Sequence, residues 1–388
     1  MSAGGARALT AVVIAALAFL AACGGGELPE LDALDAEPWM AAGAFDFVAE
    51  EDGAQLSMPI TIPGGGRGFA LYVEVAGCAQ VARLETGAFE GEAARVWVSD
   101  LERGVSCTRC AERFSVIAGS GLVVHDPIEP EDLDATLRFG RVDCETLTKL
   151  PPGEPASLRL WARALPVARE VEPLPLAFLH GAASPWAAPQ DAERLAAAVG
   201  ELLVGAGLEV ALVRSSAHAA LDAPLEWFEG TPEVLPSLAV NEQAVNIAFA
   251  GCLAHVHPLL GNRVPLEGFV PRVPALGSPG AAVYLRHLGC GGSGGSVTRR
   301  SVDAQARLVA HELGHFLGLY HPEDADGQRD RLPDTNADTL MTAPPADLEG
   351  PRFSPLQAAR MRLHAALLAQ GLPRRAPLPT TGGAEGAP

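Results

Sequence analysis

The chain has 388 residues, and 47 acidic against 28 basic side chains give it a formal net charge of −19 with histidines neutral. That balance excludes a general nucleic-acid binder, which needs a basic footprint. Apolar residues make up 48% of the sequence, so wholesale disorder is excluded, and the length suits roughly two or three domains with cores of their own. Lys149 is the single lysine, and 42 glycines with 32 prolines point to long loops.

The first segment carries Arg7 and then an unbroken small or apolar run over 8–22, shorter than the ~20 residues a membrane span needs, so residues 1–22 read as a signal peptide. The run ends Leu20-Ala21-Ala22-Cys23, followed by Gly24-Gly25-Gly26. This resembles the lipobox of bacterial lipoproteins. The resemblance implies that Cys23 is the acylated first residue of the mature protein, with 23–43 as a tether and the chain anchored by lipid to the bacterial cell envelope, at the outer membrane. The alternative is an ordinary signal peptide in which Cys23 is incidental. Export also places the remaining cysteines in an oxidising compartment, where Cys78, Cys107, Cys110, Cys144, Cys252 and Cys290 read as disulfides. Four of these precede residue 150 and two follow residue 250, so pairing within domains joins Cys252 to Cys290 and leaves the first four open. Cys107-Thr-Arg-Cys110 has the CxxC form, but no βαβ pattern surrounds it and no second CxxC completes a site.

From 44 to 168 the sequence offers short alternating segments at 70–75, 94–98, 115–124 and 157–163, separated by turn residues. Period-two alternation at such spacing predicts an all-β antiparallel sandwich. A proline-rich passage over 165–175 then marks a boundary. Beyond it the pattern changes to a strand at 176–180, an amphipathic helix at 191–205 and a strand at 208–213, a βαβ opening. Further strands are expected at 245–252 and 281–288, with a glycine-rich linker between 291 and 295. Ser301 caps a helix through about residue 316, Asp303 suits its positive N-terminal end, and 355–370 forms the last helix. Residues 172–371 thus read as an α/β (α+β) domain with a mixed sheet, and the Pro- and Gly-rich 372–388 as a disordered tail.

Chemistry concentrates in His311-Glu312-Leu313-Gly314-His315-Phe316-Leu317-Gly318-Leu319-Tyr320-His321. On a helix His311 and His315 stand at i and i+4, one turn apart on one face, where two imidazoles converge on one metal ion. Glu312 is turned ~100° away and stands beside the metal as a base rather than a ligand. Gly318 ends the helix in a left-handed conformation and lets the chain return His321 as a third nitrogen ligand. Three histidines leave a fourth zinc position open, the catalytic rather than structural arrangement.

The whole stretch resembles the metzincin clan of zinc metallopeptidases, with the pattern H-E-x-x-H-x-x-G-x-x-H. The resemblance implies Zn²⁺ bound by His311, His315 and His321, Glu312 as general base, and an α/β catalytic domain with a mixed sheet and an active-site helix over roughly 173–370. Asn336-Ala337-Asp338-Thr339-Leu340-Met341-Thr342 looks like the clan's methionine turn, with Met341 as its methionine. The spacing from His321 to Met341 is closer to pappalysin-like than to matrixin-like enzymes. Pro322 fits neither group's residue after the third ligand, and no tyrosine follows Met341.

Lesser features have plainer readings. Asp324, Asp326, Asp330, Asp334 and Asp338 are dense enough to hold Ca²⁺, yet lack EF-hand spacing and read first as a solvated loop. His255 and His257 read as polar positions at a strand end. The function expected is a zinc-dependent endopeptidase acting on extracellular or envelope proteins or peptides, monomeric, with an extended substrate paired along the strand at 281–288. A non-catalytic surface-anchored binding lipoprotein that keeps the metal site is the alternative, and a protease held latent by its N-terminal domain is a third reading.

Overall fold

A computed structural model describes residues 39–48, 56–61, 69–89, 92–98, 117–125, 134–142, 155–165, 172–228, 244–256, 263–270, 273–277, 282–287, 300–323, 330, 332–335, 338–342 and 353–373. Cys23, Cys107, Cys110, Cys144, Cys290 and His257 lie outside them, as does the expected tail beyond 373.

The N-terminal part is antiparallel throughout. Strands β1 (Met40–Val48), β2 (Leu56–Thr61), β3 (Phe69–Phe89), β4 (Glu92–Val98), β5 (Ile117–His125), β6 (Asp134–Val142) and β7 (Pro155–Ala164) form one hydrogen-bonded network in the order β1-β7-β3-β6-β2, with β4 and β5 also on β3. Where a two-sheet sandwich was expected, the described strands join in a single antiparallel network organised around one 21-residue strand. The first half of β3 pairs with both β5 and β7, and its second half with β6 and β4. Ala70 to Val73 at its start are all buried. Strand β1 begins inside the stretch assigned to the tether, which therefore ends before Met40.

The C-terminal part is mixed α/β. Strands β8 (Leu174–His180), β9 (Val210–Ala217), β11 (Val245–Ala250) and β15 (Ala282–Arg286) are parallel, and the two-residue β14 (Gly268–Phe269) runs antiparallel along the outer side of β15, giving the order β14-β15-β11-β8-β9. Strands β8, β11 and β15 are buried over nearly their full length, the near-continuous apolar run of a parallel strand covered on both faces. A second small sheet of β10 (Leu225–Phe228), β12 (Leu253–Val256) and β13 (Arg263–Pro265) had no counterpart in the sequence reading.

Helices α1 (Pro189–Leu203) and α2 (Val302–Phe316) pack against each other and against the sheet. Leu195, Val199 and Leu203 of α1 and Val309 and Leu313 of α2 meet Phe178, Ile247, Phe249 and Leu285 in one core. Ser301 caps α2 by accepting from Ala304 N at 3.1 Å. Helix α3 (Pro355–Ala369) starts with a capping box between Ser354 and Gln357. No helix among the described residues is long and apolar enough to cross a membrane.

The two parts share a core instead of meeting across a linker. Trp39, Tyr72, Leu122 and Val124 of the antiparallel sheet belong to the same buried cluster as the α/β residues. Ser120 Oγ donates to Gly277 O at 2.7 Å, and Trp39 Nε1 donates to Gly371 O at 2.8 Å just past α3.

Candidate metal centre

Helix α2 carries His311 and His315 on one face, as the i, i+4 spacing requires, and ends at Phe316. A Schellman turn closes it: Gly318 N donates to His315 O at 3.0 Å and Leu319 N to Gly314 O at 2.9 Å. Gly318 stands at φ +89°, and a Cβ there would lie 2.9 Å from both ring nitrogens of His364, so only glycine fits. That reversal returns His321 to the helix face.

The three rings converge. His321 Nε2 lies 3.0 Å from His315 Nε2 and 3.2 Å from His311 Nε2, and among the described residues this triad is the group that could hold a metal ion. Backbone acceptors fix two of the rings. His311 Nδ1 donates to Leu340 O at 2.6 Å, and His315 Nδ1 donates to Leu319 O at 2.8 Å. Both Nε2 atoms then present lone pairs toward His321 Nε2, a donor set suited to a shared cation. Nitrogens each ~2.0–2.1 Å from a tetrahedral zinc stand about 3.3 Å apart, so this donor set fits that ion in type and spacing. Burial lowers the His311 pKa to about 4, so its ring is neutral and able to ligate at ordinary pH.

Glu312 is buried beside the sheet edge. A Cβ added at Gly268 in β14 would fall 2.6 Å from Glu312 Cδ, so the carboxyl lies against the backbone of that edge strand. Burial pushes its pKa up to about 8. Met341 is fully buried under the site, and a Cβ on Gly314 would overlap its sulfur and stand 3.1 Å from its Cε. The turn that carries it is closed by Thr342 N donating to Thr339 O, and it presents the Leu340 carbonyl to His311.

Several expectations need revision. Strand β15 is hydrogen-bonded to β11 on one side and, over Tyr284–Arg286, to β14 and Glu267 on the other, so that stretch of the expected substrate strand at 281–288 is already paired. Glu312 lies beside β14, the outermost strand of this sheet among the described residues. Two carboxylates proposed for calcium are already engaged. Asp330 Oδ1 accepts from Leu332 N and Thr335 Oγ1, and Asp334 accepts from Ser354 Oγ and Leu356 N at the start of α3. Asp324 and Asp326 lie outside the described residues. Cys252 is disulfide-bonded.

Sequence reasoning missed Gly314 and Gly268. A glycine inside a helix costs about 1 kcal/mol against alanine, so Gly314 did carry a signal that something packs there. Gly268 carried none.

No family model matches the chain, and no curated protein matches it. Among solved structures, the acetyl xylan esterase Est2A from the rumen bacterium Butyrivibrio proteoclasticus is 12% identical over 75% of this chain and 76% of its own, with a TM-score of 0.14. A Bacillus subtilis protein is 10% identical over 55% of this chain and 56% of its own, with a TM-score of 0.14. A family two carbohydrate esterase from Cellvibrio japonicus is 9% identical over 55% of this chain and 68% of its own, with a TM-score of 0.12. Likeness this slight carries no argument about fold or activity.

Proposed function

We propose that the chain is a zinc-dependent endopeptidase of the metzincin type, exported and held at the cell envelope by lipid on Cys23. The observation that carries this reading is the convergence of His311, His315 and His321 beside a buried glutamate next to the outermost described strand of the sheet. The sheet order, with one antiparallel strand outside a parallel set and the histidine helix packed beneath, supports it.

His311, His315 and His321 would hold the zinc, which when bound polarises a carbonyl and lowers the pKa of water. The remaining steps fall to the chain itself. An extended peptide laid along β14, the outermost strand of the sheet among the described residues, would be held by main-chain hydrogen bonds and have its scissile bond beside Glu312 without demanding one sequence. The Glu312 carboxylate takes a proton from the attacking water and delivers it to the leaving amine nitrogen. Because Gly268 has no side chain, the peptide backbone can approach that carboxylate closely.

The test has two arms, both on the chain beginning after Cys23. His315→Ala abolishes stoichiometric zinc, and unchanged zinc content would overturn the ligand assignment. Glu312→Gln keeps zinc and fold while hydrolysis of unfolded protein falls by several orders of magnitude. Near-normal hydrolysis in that variant, or none in the wild type, would leave a metal-bearing binding lipoprotein as the better description.

A further inference from the structure

Helix α3 carries one buried polar ring that the zinc chemistry does not use. His364 is 3% exposed, with the fully buried Met361 and Leu367 three residues to either side of it. Its Nδ1 is buried without a hydrogen-bond partner among the described residues. A buried nitrogen left in that state is a cost, and a leucine, as at Leu367, would not carry it. Stability alone therefore does not account for a histidine here.

What the ring touches does. The Nδ1–Cε1–Nε2 edge fills the space where Gly318 lacks a side chain: a Cβ there would lie 2.9 Å from each ring nitrogen and closer still to Cε1. A flat ring edge fits against a glycine at φ +89°, whereas the two methyl groups of a leucine would press on the turn. That turn serves two of the three converging histidines. Leu319 O, one residue on, accepts from His315 Nδ1 at 2.8 Å. His321 follows two residues later, with its Nε2 3.0 Å from that of His315 and 3.2 Å from that of His311. Metal–nitrogen distances must hold within about ±0.2 Å, so a small shift at Gly318 would be felt by both rings.

Helix α3 gives the ring a firm base. Its capping box is reinforced by Asp334, which accepts from Ser354 Oγ at 2.8 Å and from Leu356 N at 2.9 Å. Further along, Arg362 Nη1 donates to Ala206 O at 2.6 Å, beyond the end of α1. We propose that His364 is a positioning residue of the metal centre, its ring edge holding the Gly318 turn so that Leu319 O aims His315 and the chain returns His321. This rests on the reading of the three histidines as a metal site. His364 is not one of the converging group and acts through the turn. Support of this indirect kind is what fixes ligand orientation in metal sites.

The experiment separates positioning from packing. The chain beginning after Cys23 is titrated with Co²⁺, whose visible absorption reports ligand geometry, and zinc affinity is read by chelator competition. His364→Leu binds both metals about 10–100-fold more weakly and alters the Co²⁺ spectrum, while the metal-free Tm stays level or rises. In a His321→Ala background, where the third nitrogen is already gone, adding His364→Leu costs about threefold at most. His364→Gln, planar and polar at its end, keeps part of the affinity and serves where His364→Leu does not fold. An unchanged spectrum and affinity in these variants overturns the proposal. So does a loss as large in the His321→Ala background as in the wild type, or one matched by an equal fall in metal-free stability. If the wild type binds neither metal, the metal reading fails and amide exchange in the metal-free chain decides the role of His364. Leu319 N–H exchanging about tenfold faster in His364→Leu, with the α1 amides unchanged, sustains it, and an unchanged Leu319 overturns it.

Discussion

Gly314 lies between the two helical histidines of the candidate metal centre, and Gly314→Ala separates the ordinary effect of a helical glycine from the particular demand of this site. In a free helix the change adds about 1 kcal/mol of stability. Here the new methyl group would overlap the sulfur of Met341, which is 0% exposed and has no solvent to move into. Overpacking of that kind costs about 1–3 kcal/mol, so the net is a loss of up to about 2 kcal/mol, a few degrees in Tm. The larger effect falls on metal. Met341 follows Leu340, whose carbonyl accepts from His311 Nδ1 at 2.6 Å, and displacing the turn loosens the bond that aims the ring. Loss of such a supporting partner typically weakens metal binding 10–100-fold. Chelator competition on the purified chain reads that change, and thermal unfolding of the metal-free form reads the packing cost. Adding Met341→Ala opens the space again, so the double variant recovers part of the zinc affinity lost by Gly314→Ala. An alanine variant that gained about 1 kcal/mol and kept its zinc affinity would refute the proposed coupling.

Three further outcomes follow from the same contacts. His364 is buried against Gly318, and burial first and Arg360 second lower its pKa to about 3, below the ~6.5 of an unfolded histidine. The unfolded chain therefore binds this proton first: stability is full above pH 6.5 and falls by about 1.4 kcal/mol per unit as pH drops toward 3. Denaturant titration of the metal-free chain at pH 6.5 and pH 5 shows about 2 kcal/mol of this loss, and His364→Leu flattens it. Peptide mapping without reduction recovers Cys252 joined to Cys290, and a bond from Cys252 to any N-terminal cysteine rejects the within-domain pairing. Ser120→Ala leaves the Gly277 carbonyl without its 2.7 Å donor and lowers stability by about 1–3 kcal/mol in the same titration.

The metal centre was legible because covalent spacing dictates it. Once α2 is a helix, His311 and His315 share a face whatever surrounds them, and Gly318 has one economical use in that position. The long buried strands β8, β11 and β15 were legible for the same local reason. What failed was non-local. Strand β14 is two residues long, too short for any period, and only its pairing with β15 defines it. Without it β15 looked like the free edge. The sheet of β10, β12 and β13 consists of three- and four-residue strands, one parallel pair of which joins Leu225 to Leu253 across the intervening chain. Nor does composition announce that Trp39 caps the end of α3, since that bond joins residues 332 apart.

The third ligand ties these scales together. His311 and His315 are placed by their own helix, whereas His321 stands beyond its end and depends on what holds the returning chain. The Schellman turn at Gly318 does part of this. The next hold is Tyr320, whose hydroxyl donates to Val273 O at 3.2 Å. Val273 begins the segment that reaches Gly277, where Ser120 Oγ donates to the carbonyl and the Tyr72 ring packs so closely that a Cβ would lie 3.1 Å from it. Ser120 and Tyr72 belong to the antiparallel sheet, so the path from that sheet to the zinc ligand runs through two hydrogen bonds and one short segment. A removable pro-domain would leave a finished catalytic core behind it. Here removal would strip Tyr72, Leu122 and Val124 from a core they share with α1 and α2, and free the segment that steadies Tyr320. On the proposed reading the N-terminal sheet buttresses the histidine triad through these contacts, and a chain truncated before residue 172 should bind zinc more weakly than the full chain.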